Sequence, residues 1–365
     1  AEVTREEQPP ETLNVPMAHR AMPPETLSGA VTQDKQWKTW FVRDGRLRSG
    51  WRVLLYAIGA RLAQIIAAIV FGLLIGAIVF VAWSAAGWTP EQVLGRLIEE
   101  LSTVATFSPF AFGFRLWETL FLLFIVFVFR RFIDRRSFRA LGFQMTRGWW
   151  QEALAGFAFA VVAWGVIFVL SLAFGAATIK GFAWERGDWL VVLAALVNGL
   201  LFNVLVGIAE ETDARGYILQ NLAEGIRFVP AVIVSSLYFA VLHLLNPGAG
   251  WTSTIGIFFA GVLLALGYYV TRRLWFSIGM HAAWNFAEGP LFGFPVSGLD
   301  MGGLFRLNIT GPDWLIGGAF GPEAGVLAVA VEIAMIALLF AWMRRRRDVK
   351  QLDSDGEQLT VNSEQ

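Results

Sequence analysis

The chain has 365 residues, a formal net charge of zero, no cysteine, 56% hydrophobic and 16% charged residues, and a mean hydropathy of +0.56. Soluble domains average roughly 45–50% apolar and about 25% charged residues. The balance therefore points to a membrane protein, and the neutral total gives no basis for nucleic-acid binding. The lack of cysteine excludes disulfides, thiolate metal sites and a cysteine nucleophile.

Residues 1–36 are polar and Pro-rich, with Pro-Pro-Glu-Thr-Leu at 9–13 and again at 23–27. They read as a disordered tail and not as a signal peptide, because no apolar stretch follows within them. A helix needs about 20 residues to cross a bilayer. The apolar runs predict an all-α, polytopic transmembrane helix bundle of about eight spans, near 54–83, 113–130, 152–175, 188–209, 229–246, 253–271, 274–292 and 323–343. The seventh is the least hydrophobic. The organisation expected is a tail (1–36), an N-terminal membrane region (37–187), a core (188–292), an outer loop (293–322), a last span (323–347) and a polar tail (348–365). Residues 131–149 alternate Arg with Phe138, Leu141, Phe143 and Trp149, a pattern of an interfacial amphipathic segment.

Basic residues set the expected orientation. Lys38, Arg43, Arg46, Arg48 and Arg52 precede the first span, and Arg130, Arg131, Arg135, Arg136, Arg139 and Arg147 follow the second. Arg215 and Arg227 follow the fourth, Arg272 and Arg273 the sixth, and Arg344–Arg347 the eighth. The other connections hold only Arg96, Lys180, Arg186 and Arg306. By the positive-inside rule every even-numbered exit, and both termini, face the cytoplasm.

Ionisable groups are expensive in hydrocarbon, so those inside spans are informative. Three groups stand out: Glu210-Glu211-x-x-x-Arg215, His243 four residues after Phe239, and His281 four residues before Asn285. Glu211 and Arg215 share a helix face, as do His281 and Asn285. Glu210 is rotated about 100° from Glu211. One Glu can therefore be neutralised by Arg215 while the other faces something else. Each group taken alone also fits a span end or a hydrogen-bonded core residue. Together they can activate water, with a buried Glu or a metal taking its proton and His and Asn donors stabilising an oxyanion. Two His and one Glu are also a catalytic zinc set. Arg61, Glu118, Asn198, Asn203 and Glu332 are expected to satisfy one another.

In these motifs, over about residues 190–290, the chain resembles the CPBP intramembrane proteases, which include the type II CAAX prenyl proteases and the bacteriocin-processing or Abi proteins. The resemblance implies an intramembrane endopeptidase acting on a membrane-associated or lipidated protein or peptide, in the lipid bilayer of a bacterial plasma membrane. It makes Glu210 the general base, with His243 holding the attacking water. His281 and Asn285 become the oxyanion hole, and Glu211 and Arg215 shape and neutralise the site. A metallo version makes Glu210, His243 and His281 ligands of a divalent metal such as zinc. The alternative is a catalytically silent scaffold or bacteriocin-immunity protein of the same fold; a transporter lacks the expected internal symmetry. Thr212, Asp213 and Ala214 stand where the family usually has apolar or aromatic residues. Asp213, one turn from Glu210, is expected either to repel it or to point to water. The span boundaries separate Glu210 from His243 by roughly 20 Å along the membrane normal. The two meet only if span four runs on past Arg215 or the helices are tilted or broken, and span four is expected to run to about residue 222. No His-Glu-x-x-His, Gly-x-Ser-Gly or Gly-x-Gly-Asp motif competes with this reading.

Overall fold

The computed structural model describes residues 40–43, 45–95, 109–185 and 187–363, with side chains to Arg345; the expected tail of 1–36 lies outside them. The chain divides into residues 1–42, described only at their end, and residues 43–365, which hold everything below.

The main helices are α1 (Ser49–Ala85), α2 (Pro109–Val128), α3 (Trp149–Ala173), α4 (Trp189–Glu211), α5 (Gln220–Ile226), α6 (Phe228–Leu242), α7 (Trp251–Thr271), α8 (Trp275–Phe286) and α9 (Val326–Ser363). A π-helix over Thr212–Leu219 joins α4 to α5, so one helical rod of 38 residues runs from Trp189 to Ile226. Span four therefore continues past 222, as expected. Seven described helices are long and apolar enough to cross a membrane. The expected seventh span, 274–292, is the 12-residue α8 continued by a π-turn over Ala287–Leu291. It is short and almost wholly enclosed by other helices, which explains its lower hydrophobicity.

The helices are apolar all round, the pattern of a segment solvated by lipid. On α1, Leu62, Ile65, Ile66, Ile69 and Leu73 are exposed, and only 6% of its most apolar window is buried, against 44% for α7. Without a hydrophobic force between helices in lipid, packing depends on small residues that let backbones close in. A Cβ on Gly279 would sit 2.0 Å from the Ala153 carbonyl oxygen, and one on Gly156 2.0 Å from that of Phe276. These contacts seat α8 against α3.

The all-α bundle carries a short strand pair outside its helices. Residues 293–322, expected as an outer loop, contain strand β2 (Phe305–Ile309), which pairs antiparallel with β1 (Ala177–Phe182) in the register Ala177 to Ile309 and Phe182 to Phe305. In the 131–149 segment Phe132 and Met145 are exposed, while other apolar side chains turn inward. Leu141 is fully buried, and Phe138, Phe143 and Trp149 pack on the protein core around Tyr217 and Trp275.

Several basic residues read as flanking charges are interior. Arg52, Arg130 and Arg215 are all buried. Asp134, fully buried, accepts from Arg52 (3.3 Å), Arg130 (3.0 Å), Tyr217 (3.1 Å) and Asn221 (3.2 Å). Arg52 also reaches Glu224 at 2.8 Å. This network ties α1 and the end of α2 to the 189–226 rod.

Candidate active site

The two adjacent glutamates lie where α4 gives way to the π-helix. Thr212 Oγ1 donates back to the Ile208 carbonyl at 2.5 Å, and the wider turn begins at that residue. Such π-insertions occur mostly at functional sites, where they re-aim side chains. Glu211 points into the protein and is fully buried. Its Oε1 accepts from Arg215 Nη1 at 2.9 Å, the i,i+4 pair expected from the sequence. Arg215 Nη2 donates to the Gly261 carbonyl at 3.0 Å, and its guanidinium lies 4.3 Å from the centroid of the Phe239 ring. The cation is thus held by a carboxylate, a carbonyl and an aromatic face.

Glu211 Oε1 also lies 2.8 Å from His281 Nδ1, on α8. A carboxylate already bonded to Arg215 acts as acceptor, so Nδ1 carries a proton and Nε2 is left for the interior. His243, at the end of α6, is oriented in the same manner: its Nδ1 lies 2.8 Å from the Phe239 carbonyl, which can only accept. Both free Nε2 atoms turn toward Glu210, with Oε2 3.7 Å from His281 and 3.9 Å from His243. The 20 Å separation implied by straight spans is removed by the continued rod and by the early end of α6. The Glu210 side chain is 30% exposed, the most open of the three.

These groups line one cavity of about 450 Å³, and Asn285, one turn beyond His281, lines it too. All six expected site residues therefore meet, four on the cavity and two behind it. The gaps around Glu210 exceed direct hydrogen-bond reach but suit one bridging water, which at about 2.8 Å from both partners would subtend an angle of roughly 85°. A tetrahedral zinc set with bonds near 2.0–2.1 Å has ligand edges of about 3.3 Å. The observed 3.7 and 3.9 Å are wider. Among the described residues no three His, Asp or Glu groups are disposed to hold a metal ion. As placed, the donors do not fit a metal, and the chemistry below is derived from the side chains.

Asp213 does not point to open water. It is buried, and its carboxylate accepts from Tyr56 (2.5 Å) and Tyr238 (3.1 Å) and lies 3.1 Å from Arg61 Nη2. The in-span polar residues do not satisfy one another as expected: Arg61 meets Asp213, Glu118 meets Arg115 at 3.5 Å, and Asn203 bonds the Gly199 carbonyl of its own helix. Both Glu332 oxygens are buried without a hydrogen-bond partner among the described residues. Sequence reasoning missed Arg115, whose i,i+3 spacing to Glu118 was the available signal. It also missed Glu323, which lines the cavity and accepts from Trp284 Nε1 (2.9 Å) and Ser297 Oγ (2.6 Å). Glu323 carries no local signal, because its partners lie on α8 and in a loop.

Fold and site together define an integral membrane helix bundle with a carboxylate and two imidazoles around an interior cavity. Residues 192–287, which carry all six of those side chains, match the family described as type II CAAX prenyl endopeptidase Rce1-like. This is the family to which the motifs point. α1, α2, α3 and α9 lie outside the match. No curated protein and no solved structure matches the chain.

Proposed function

We propose that the protein is an intramembrane endopeptidase of the glutamate type, which hydrolyses a peptide bond in a membrane-associated peptide or protein. The observation that carries this is the placement of Glu210 Oε2 within 3.7 and 3.9 Å of two imidazole nitrogens from other helices. Glu210 and a neutral His243 Nε2 are both acceptors. A water between them donates one proton to each, and its lone pair is left to attack a carbonyl carbon. As the carbon–oxygen bond forms, the water proton passes to Glu210. His281, doubly protonated, donates from Nε2 to the developing oxyanion together with Asn285. Glu210 then returns its proton to the leaving nitrogen as the carbon–nitrogen bond breaks. Glu211 and Arg215 hold His281 in place. With Glu210, Glu211, Arg215 and His281 all charged, the group is neutral, which suits a site inside a membrane.

With α8 and its π-turn taken as the crossing that makes the number even, the basic residues at the span ends support cytoplasmic termini, and the bacteriocin-processing relatives among the CPBP proteins favour a bacterial plasma membrane. The test is proteolysis of a quenched membrane-peptide pool by the purified protein and by its Glu210→Ala form. A peptidase loses cleavage in the variant. A silent scaffold cleaves nothing in either form and binds the same peptides in both. A metallo form would lose cleavage to a chelator and regain it with zinc.

A further inference from the structure

We propose that Arg61 and Arg115 form an anion subsite in the same cavity, which takes a carboxylate of the bound peptide. This rests on the peptidase reading for its ligand. Both arginines line the cavity that Glu210, His243 and His281 line, and they come from α1 and α2, outside the matched family segment.

Their donors are only partly spent. Arg61 faces Asp213 through Nη2, but Asp213 also accepts from Tyr56 and Tyr238, so its charge is divided among three groups. Arg61 Nε and Nη2 are enclosed, but the side chain as a whole keeps 32% of its surface open, against 1% for Arg215. Arg115 approaches Glu118 only to 3.5 Å and keeps 28% of its side-chain surface open. The contrast is Arg215, whose two terminal nitrogens are both bonded. Arg52 and Arg130 sit away from the cavity on Asp134.

A guanidinium at membrane depth is costly, and such groups mark substrate paths where they face a water-filled cavity. Its planar fork fits a carboxylate through two parallel bonds. The wall of the same cavity also includes the apolar side chains of Phe202, Val206, Leu263 and Met280. A peptide seated at Glu210 would thus lay an apolar stretch on that wall and its carboxylate on the arginines. The carboxylate can be the chain terminus or an acidic side chain.

The experiment uses the full chain carrying Glu210→Gln, in phosphate-free maltoside micelles. Four pools of dye-labelled apolar pentapeptides are bound: free or amidated C-terminus, and amidated with one internal Asp or Asn. The expected result is about tenfold tighter binding of one carboxylate pool over its neutral twin, the scale of a charge-assisted pair. Which twin shows it identifies the source. Adding Arg115→Gln, or Arg61→Gln, should shrink the preference to about twofold. Arg115→Gln keeps the test open if loss of the Asp213 partner unfolds the Arg61 variant. Equal binding of all pools, no binding of any, or a preference intact in both arginine variants overturns the subsite. So does a carboxylate preference that phosphatidylglycerol abolishes by occupying the arginines itself. Cleavage by the wild type separates the two readings. Failure to cut any pool contradicts the peptidase, while cutting acid and neutral pools with equal kcat/KM contradicts only the subsite.

Discussion

His281 Nδ1 lies 2.8 Å from Glu211 Oε1, and this contact fixes which imidazole nitrogen faces Glu210. The same carboxylate oxygen holds Arg215, so one buried side chain orients an imidazole and neutralises a guanidinium. Glu211 is a positioning residue in this account, acting through His281. Glu211→Gln should lower kcat by about a hundredfold with KM nearly unchanged, because the substrate does not touch it. It should also reduce stability by about 3–5 kcal/mol, since Arg215 is left buried without its counter-charge. Steady-state kinetics and thermal unfolding of the two forms in the same detergent check both.

Asp134→Ala should be as damaging to the fold and nearly silent in the chemistry. It removes the shared acceptor of Arg52, Arg130, Tyr217 and Asn221. A loss of about 3–5 kcal/mol is expected for a broken buried ion pair. KM and kcat per folded molecule should stay within about twofold, because none of these groups lines the cavity.

Gly279→Ala tests the close seating of α8 on α3. A Cβ there would lie 2.0 Å from a backbone carbonyl that cannot swing away, so the helices must separate. Overpacking costs roughly 1–3 kcal/mol or more. Here the separation would also displace His281, two residues on. The expected outcome is a lower melting temperature together with reduced kcat in the protein that remains folded.

Asp213→Asn tests the observed role of Asp213. Its carboxylate is occupied by Tyr56, Tyr238 and Arg61. The variant should lose about 1–3 kcal/mol of stability, as a buried hydrogen-bonded charge is removed, and keep cleavage within a few-fold. A large fall in kcat with unchanged unfolding would make Asp213 part of the chemistry.

Much of the site was legible because its links are local. The Glu211–Arg215 pair and the shared face of His281 and Asn285 follow from helical spacing alone. The continuation of span four was legible as one of the few ways for Glu210 and His243 to meet, beside tilted or broken helices. The partners of Asp213 were not legible: Tyr56 lies 157 residues away in sequence, and only the packing of α1 against the rod brings it near. The charges of Arg52 and Arg130 misled for a related reason. A basic residue near a span end reads as a solvated flank, and only the tertiary position of Asp134 makes it interior. The enclosure of α8 by the other helices was hidden because an apolar run reads the same whether lipid or protein surrounds it.

The central claim is that Glu210 and His243 hold one attacking water as a unit. The measurement is the single-turnover cleavage rate of the wild type, Glu210→Gln, His243→Ala and the double variant, each with and without a chelator. Residues that act as a unit are strongly non-additive. The account expects each single variant to lose about a thousandfold or more, the double variant to be no slower than the worse single, and the chelator to change nothing. Single variants near the wild-type rate, or losses that multiply in the double variant, would contradict it.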